Sequence, residues 1–159
     1  MNIAPHNIGR CRQATPYDYA EQFAGPTSWA VTVALEKSGL SGRSNTPARS
    51  ARKIFRGHDL VLNGRAYQNK KADRRVTGYF FPEDWSFHPH LHGVVVLPGG
   101  HDLLPEDQAA FITEVCNCIY PDASVECKTL HHDYGWMMYS AKHTTFQQSI
   151  TMAVDFWKR

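Results

Sequence analysis

Residues Phe87–Leu97 run FHPHLHGVVVL. Side chains along a strand alternate between two faces. One face of this stretch carries His88, His90, His92, Val94 and Val96. The other carries Phe87, Pro89, Leu91, Gly93, Val95 and Leu97, a wholly apolar set. The pattern predicts a strand with one face on a core and the other presenting imidazoles at i, i+2 spacing. Two imidazoles from one rigid strand make half of a metal's coordination shell. Histidines that only hydrogen-bond within a sheet are the plain alternative, and three in alternation weigh against it. Pro89 cannot donate to a ladder, so it belongs near the strand's start or at a bulge.

Upstream, Val76–Phe81 reads as a strand and Pro82–Ser86 as the turn of a hairpin. Trp29–Leu35 (WAVTVAL) is rich in β-branched and apolar residues and predicts the opening strand. Thr46 and Pro47 make an N-cap and first-turn pair for a basic amphipathic helix over 47–67, broken near Gly57 or Gly64. Downstream, Leu104–Ile119 has helical period with acids in its first turn. Ala123–Leu130 predicts a fourth strand, and Asp133–Thr145 a helix carrying Trp136, Met137, Met138 and Tyr139. The tail, with Val154, Phe156 and Trp157, is apolar enough to pack back as a last strand or helix. Residues 1–27, with Pro5, Pro16 and Pro26, suit an irregular N-terminal arm, leaving residues 28–159 as one domain. The order β-α-β-β-α-β is that of an α+β, ferredoxin-like or RRM-like antiparallel sheet with helices on one face. A further helix follows it, and the histidine strand becomes central beside the first.

A chain of 159 residues, 42% hydrophobic and 20% charged, suits one domain with a real core. No window approaches the 18 or so apolar residues of a membrane span, and the N-terminus lacks a signal peptide's apolar core, so a cytoplasmic protein is expected. Cys11, Cys116, Cys118 and Cys127 form neither a paired metal spacing nor a disulfide framework, which predicts reduced structural thiols. Net charge is only +2, but ten of the 17 Lys and Arg fall between Arg43 and Arg75, against Asp59 and Asp73. Such a block suits a polyphosphate partner, chiefly nucleic acid, or else a solvated helix face.

The second chemical signal is Tyr139-Ser-Ala-Lys142. Residues three apart on a helix share a face, so the phenol and the ammonium emerge together. A phenol with a free pKa of about 10 is a poor nucleophile, and a nearby cation favours its ionised form. Alone, the spacing far more often marks a half-buried aromatic beside a solvated lysine.

Together, the His-hydrophobic-His strand and the Tyr-x-x-Lys helix about fifty residues later resemble the HUH endonucleases: relaxases, rolling-circle replication initiators and single-strand transposases. His90-Leu91-His92 matches the motif that names the family, and Pro89–Gly93 resembles its common form in replication initiators. Tyr139 and Lys142 match the nucleophile motif of the one-tyrosine class, and Trp29–Leu35 the less specific first motif. The resemblance spans roughly residues 28–145.

It implies metal-dependent nicking and joining of single-stranded or hairpin DNA through a 5′-phosphotyrosine intermediate, as in rolling-circle replication initiation. Tyr139 would be the nucleophile with Lys142 beside it. Mg²⁺ or Mn²⁺ would be held by His90 and His92 with a third ligand. Glu83 is favoured for that role because a carboxylate suits a hard cation, and His88 and Asp84 are the alternatives. Arg43, Arg49, Arg52, Lys53, Arg56, Lys70, Lys71, Arg74 and Arg75 would contact phosphates. Trp85 or Tyr79 would stack an unpaired base, unless they belong to the core. Tyr134, five residues before Tyr139, is off its helical face, which argues against a two-tyrosine mechanism. No Gly-rich phosphate loop is present, so strand separation would fall to a separate helicase or the substrate would already be single-stranded. Two rivals remain: a histidine-triad nucleotide hydrolase or transferase using His88, His90 and His92, and a non-catalytic nucleic-acid-binding module.

Overall fold

The computed structural model describes residues 25, 27–36, 46–130, 135, 136, 138, 139, 151 and 152. Most of the expected arm, residues 1–24, lies outside them. The elements are β1 (Ser28–Ala34), α1 (Pro47–Asn63), two 3₁₀ turns (Arg65–Asn69 and Ala72–Arg74), β2 (Thr77–Glu83), β3 (His90–Val96), α2 (Pro105–Ile119), β4 (Ser124–Thr129) and β5 (Thr151–Met152). The fold is α+β: an antiparallel sheet in the order β4-β1-β3-β2-β5, with two helices on one face.

From His90 on, alternation sorts the two faces as the sequence predicts; Phe87, expected on the core face, lies in the turn before the strand and is 70% exposed. Val31 and Val33 of β1, Phe80 of β2, and Leu91 and Val95 of β3 meet Ala51, Ile54 and Phe55 of α1 and Ile112 and Cys116 of α2 in one core. Burying each of the larger side chains contributes roughly 2 kcal/mol. Cys116 is buried and Cys127 packs against the same core, and burial pushes both thiols up to about 12. Burial thus disfavours the thiolate form of both.

Helix α1 begins as its caps dictate: the Thr46 hydroxyl accepts from the Arg49 N–H at 3.3 Å, with Pro47 in the first turn. It runs through Gly57 and stops at Gly64, whose φ of 67° no helix continues. The expected residues 64–67 therefore turn into the 3₁₀ segment instead.

Strand β2 is longer than predicted, taking in Pro82 and Glu83. Pro82 is tolerated because β5 pairs only with Tyr79 and Phe80, so no described strand asks for its missing N–H. The hairpin turn shifts accordingly to Asp84, at φ 47°, whose carbonyl accepts from the Phe87 and His88 N–H groups at 3.1 and 3.0 Å. The histidine strand starts later, at His90. Pro89 sits just before it and uses only its carbonyl, accepting from the Leu35 N–H at 2.8 Å.

Candidate functional site

The face of the sheet opposite the helices carries the site. Register aligns Glu83 with His90 across β2–β3, and Thr32 with His92 across β1–β3. His92, 6% exposed, is bonded at both nitrogens: Nε2–H donates to Glu83 Oε2 at 2.7 Å, and Nδ1 pairs with the Thr32 hydroxyl at 3.0 Å. A hydroxyl can donate or accept. Thr32 therefore holds the ring in either tautomer, whether Nε2 carries a proton for Glu83 or a lone pair for something else. His90 stacks on His92, ring centroids 5.9 Å apart and planes within 2°, and its Nδ1–H donates to the His88 carbonyl.

Tyr139 reaches this pair. Its ring meets His92 edge-on, centroids 5.8 Å apart at 87°. Trp136, one turn earlier, stacks on Tyr139 at 5.5 Å, stands edge-on to His92 at 6.4 Å, and donates its indole Nε1–H to the Gly93 carbonyl at 2.7 Å. That bond ties the tyrosine segment to the histidine strand. Beside it opens a cleft of about 330 Å³ between Ala30, Lys128, Thr129 and Leu130 on one side and Trp136 and Tyr139 on the other.

Two imidazoles and one carboxylate are groups that can coordinate a divalent cation. Metal-bound histidines usually have the second ring nitrogen satisfied by protein. Here both Nδ1 atoms are satisfied, and a carboxylate stands at one Nε2. Among the described residues, however, no group of three or more His, Cys, Asp or Glu stands ready-assembled for a metal. His88 is not part of the histidine strand; it lies exposed in the preceding turn. Asp84 is a turn residue too, with its backbone in the left-handed region.

Several expected residues sit elsewhere. Lys142, Arg43 and Tyr134 are outside the described residues. Arg75 is a structural residue rather than a phosphate contact: Nε and Nη2 both bond Asp59 Oδ2 at 3.0 Å, and the guanidinium lies over the Tyr67 ring at 5.2 Å. Asp59, 1% exposed, also accepts the Val76 N–H at 2.8 Å. Burial raises its pKa, and these two donors oppose the rise. Tyr79 is 1% exposed and cannot stack on a base, and Trp85 packs against the core.

Arg49, Arg52, Lys53 and Arg56 are exposed on α1, hence on the layer behind the sheet from the histidines. Lys70, Lys71 and Arg74 precede β2, at the end where Thr77 faces Val96, whereas Glu83 faces His90 at the other end.

Sequence reasoning missed Thr32 and the role of Trp136. Thr32 is the only hydroxyl inside the WAVTVAL strand, and Trp136 stands three residues before Tyr139, so each left a trace. The chain matches no protein-family model, no curated protein and no solved structure.

Proposed function

We propose that this chain nicks and rejoins single-stranded DNA through a 5′-phosphotyrosine, as the HUH endonucleases it resembles do. The observation that carries the reading is the contact of the Tyr139 ring with His92, whose Nε2 bonds Glu83. Residues more than forty positions apart in sequence meet on the face of the sheet away from the helices. The antiparallel sheet, in the order β4-β1-β3-β2-β5 with the histidine strand β3 central, supports the reading.

In this reading the Tyr139 oxygen attacks the scissile phosphorus; the new O–P bond forms as the bond to the 3′ oxygen breaks, and that oxygen leaves as a 3′-hydroxyl. The phenol gives up its proton, and the departing 3′ oxygen takes up one in turn, so the step is neutral in protons; Lys142 lies three residues on in the sequence. A divalent cation held by His90, His92 and Glu83 would polarise a nonbridging phosphate oxygen. Thr32 keeps His92 oriented, and Trp136 keeps the phenol beside it. Transfer of the phosphate back to a 3′-hydroxyl reverses the step and joins strands.

The histidine-triad alternative draws on three histidines of one strand, and His88 lies in the turn instead. The passive-module alternative leaves the Tyr139–His92 contact without a role.

The test uses a pool of random single-stranded oligonucleotides labelled at the 3′ end, since a 5′-phosphotyrosine retains that end on the protein. With Mn²⁺, a labelled band at the mass of the protein plus DNA is expected on a denaturing gel, lost in Tyr139→Phe and with EDTA. No adduct from the wild-type chain, or an undiminished adduct from Tyr139→Phe, overturns the proposal.

A further inference from the structure

Helix α1 carries Arg49, Arg52, Lys53 and Arg56 at i, i+3, i+4, i+7, one solvent stripe opposite the face that packs into the core through Ala51, Ile54, Phe55 and His58. The helix's single carboxylate, Asp59, is buried. Its neighbour α2 is the reverse: no Lys or Arg, with Glu106, Asp107 and Glu114 exposed. The helical layer is therefore divided into a basic strip and an acidic one, and the basic strip runs on into exposed Lys70, Lys71 and Arg74.

The stripe is remote from the candidate site. With a helix about 10–12 Å across lying behind the sheet, the arginine heads stand on the order of 20 Å from the imidazoles. Its chemistry also differs. Surfaces that bind single strands combine cations with aromatic rings on which bases stack. The outward side of α1 has no aromatic residue, its exposed apolar side chains being Leu60 and Val61. A half-exposed ring, that of Tyr139, stands on the other face instead, against His92. A rigid, convex, cationic helix without a stacking platform suits the outside of a double helix, where only phosphates are presented.

We infer that the α1 stripe is a second nucleic-acid surface that binds double-stranded DNA through its phosphates, without reading sequence, and that it is separate from the site around His92. The acidic exposed residues of α2 repel the same polyanion and confine it to α1 and the segment before β2. The inference rests on charge and shape, so it stands or falls independently of any cleavage at Tyr139.

The test is fluorescence anisotropy of the full chain with a labelled duplex of arbitrary sequence and, separately, oligothymidylate, each over a range of salt. The double variant Arg52→Gln, Arg56→Gln is expected to lose duplex affinity by at least tenfold. The slope of log affinity against log salt should fall by about two, since each phosphate that a cation neutralises contributes about 0.9. Oligothymidylate affinity should change less than twofold. Lys53→Gln should lower the duplex slope by about one. Both variants expose only polar side chains at solvent positions, and circular dichroism checks their folding. An unchanged duplex affinity overturns the inference, as does equal loss on both ligands. Tighter binding of wild type to phosphatidylserine vesicles than to duplex at the same salt reassigns the stripe to a membrane surface and overturns it too.

Discussion

The rings of Tyr139 and His92 meet edge to face, 5.8 Å between centroids and 87° between planes. An aromatic pair in this geometry is worth about 1 kcal/mol beyond its buried area, and neither partner needs the phenolic oxygen for it. Tyr139→Phe is therefore expected to leave the melting temperature within about 2 °C of wild type while abolishing any covalent DNA adduct. Differential scanning calorimetry beside the denaturing gel separates chemistry from packing.

Trp136 holds that tyrosine by one hydrogen bond and one stack. Trp136→Phe keeps the stack and removes the Nε1–H that Gly93 accepts. The expected result is roughly tenfold slower adduct formation at saturating DNA with an unchanged KM, since orientation rather than binding is lost. A rise in KM at constant rate would make Trp136 a DNA contact instead.

Thr32 supports the ring nitrogen of His92 that faces away from Glu83. Loss of such a support typically weakens a metal site by about 10–100-fold. Thr32→Val, a change a strand accommodates, should lower Mn²⁺ affinity in calorimetric titration by that factor. Glu83→Ala should lower it at least as far. Unchanged Mn²⁺ binding in both variants would remove the cation from the site.

Gly93 lies where β2 leaves no space. A Cβ there would fall 1.9 Å from the Tyr79 carbonyl oxygen and 2.8 Å from the Phe80 Cα, both backbone atoms that cannot swing away. Gly93→Ala should cost about 3 kcal/mol or more, read from urea unfolding, by forcing the central pair of strands apart.

His58 is fully buried in α1, Nδ1–H donating to the Ile54 carbonyl at 2.8 Å, and burial lowers its pKa to about 4. The unfolded chain, with an ordinary value near 6.5, then binds the proton more readily than the folded one. Stability is full above about pH 6.5, falls as pH drops toward 4, and levels off below it, a loss of up to about 3 kcal/mol. Urea midpoints measured at about pH 7 and about pH 4.5 should show the decline, and a His58→Leu variant should show less of it.

Local chemistry was legible in the sequence. Alternation in 90–97 separated the helix-facing side chains of β3 from the histidine face, because strand side chains have a period of two whatever surrounds them. Thr46 and Pro47 announced the start of α1, because a cap satisfies its own helix end. The order of elements, and with it the central position of the histidine strand, followed from these signals. His92 could be nominated from its strand, and Glu83 and Tyr139 from the resemblance, and the structure sets His92 against both. What the sequence could not decide was pairing at a distance. Arg75 reads as one more cation of a basic block until the fold buries Asp59 beside it. Tyr79 reads as an exposed stacking ring until its strand is covered. Thr32 has no role until β1 lies against β3 in a register that aligns it with His92. In the sequence the basic helix and the histidines both point to a DNA partner, and the sheet stands between them. Each of these depends on which strands pair and which face a helix covers. Those are set by burial summed over the whole chain, not by any one stretch of it.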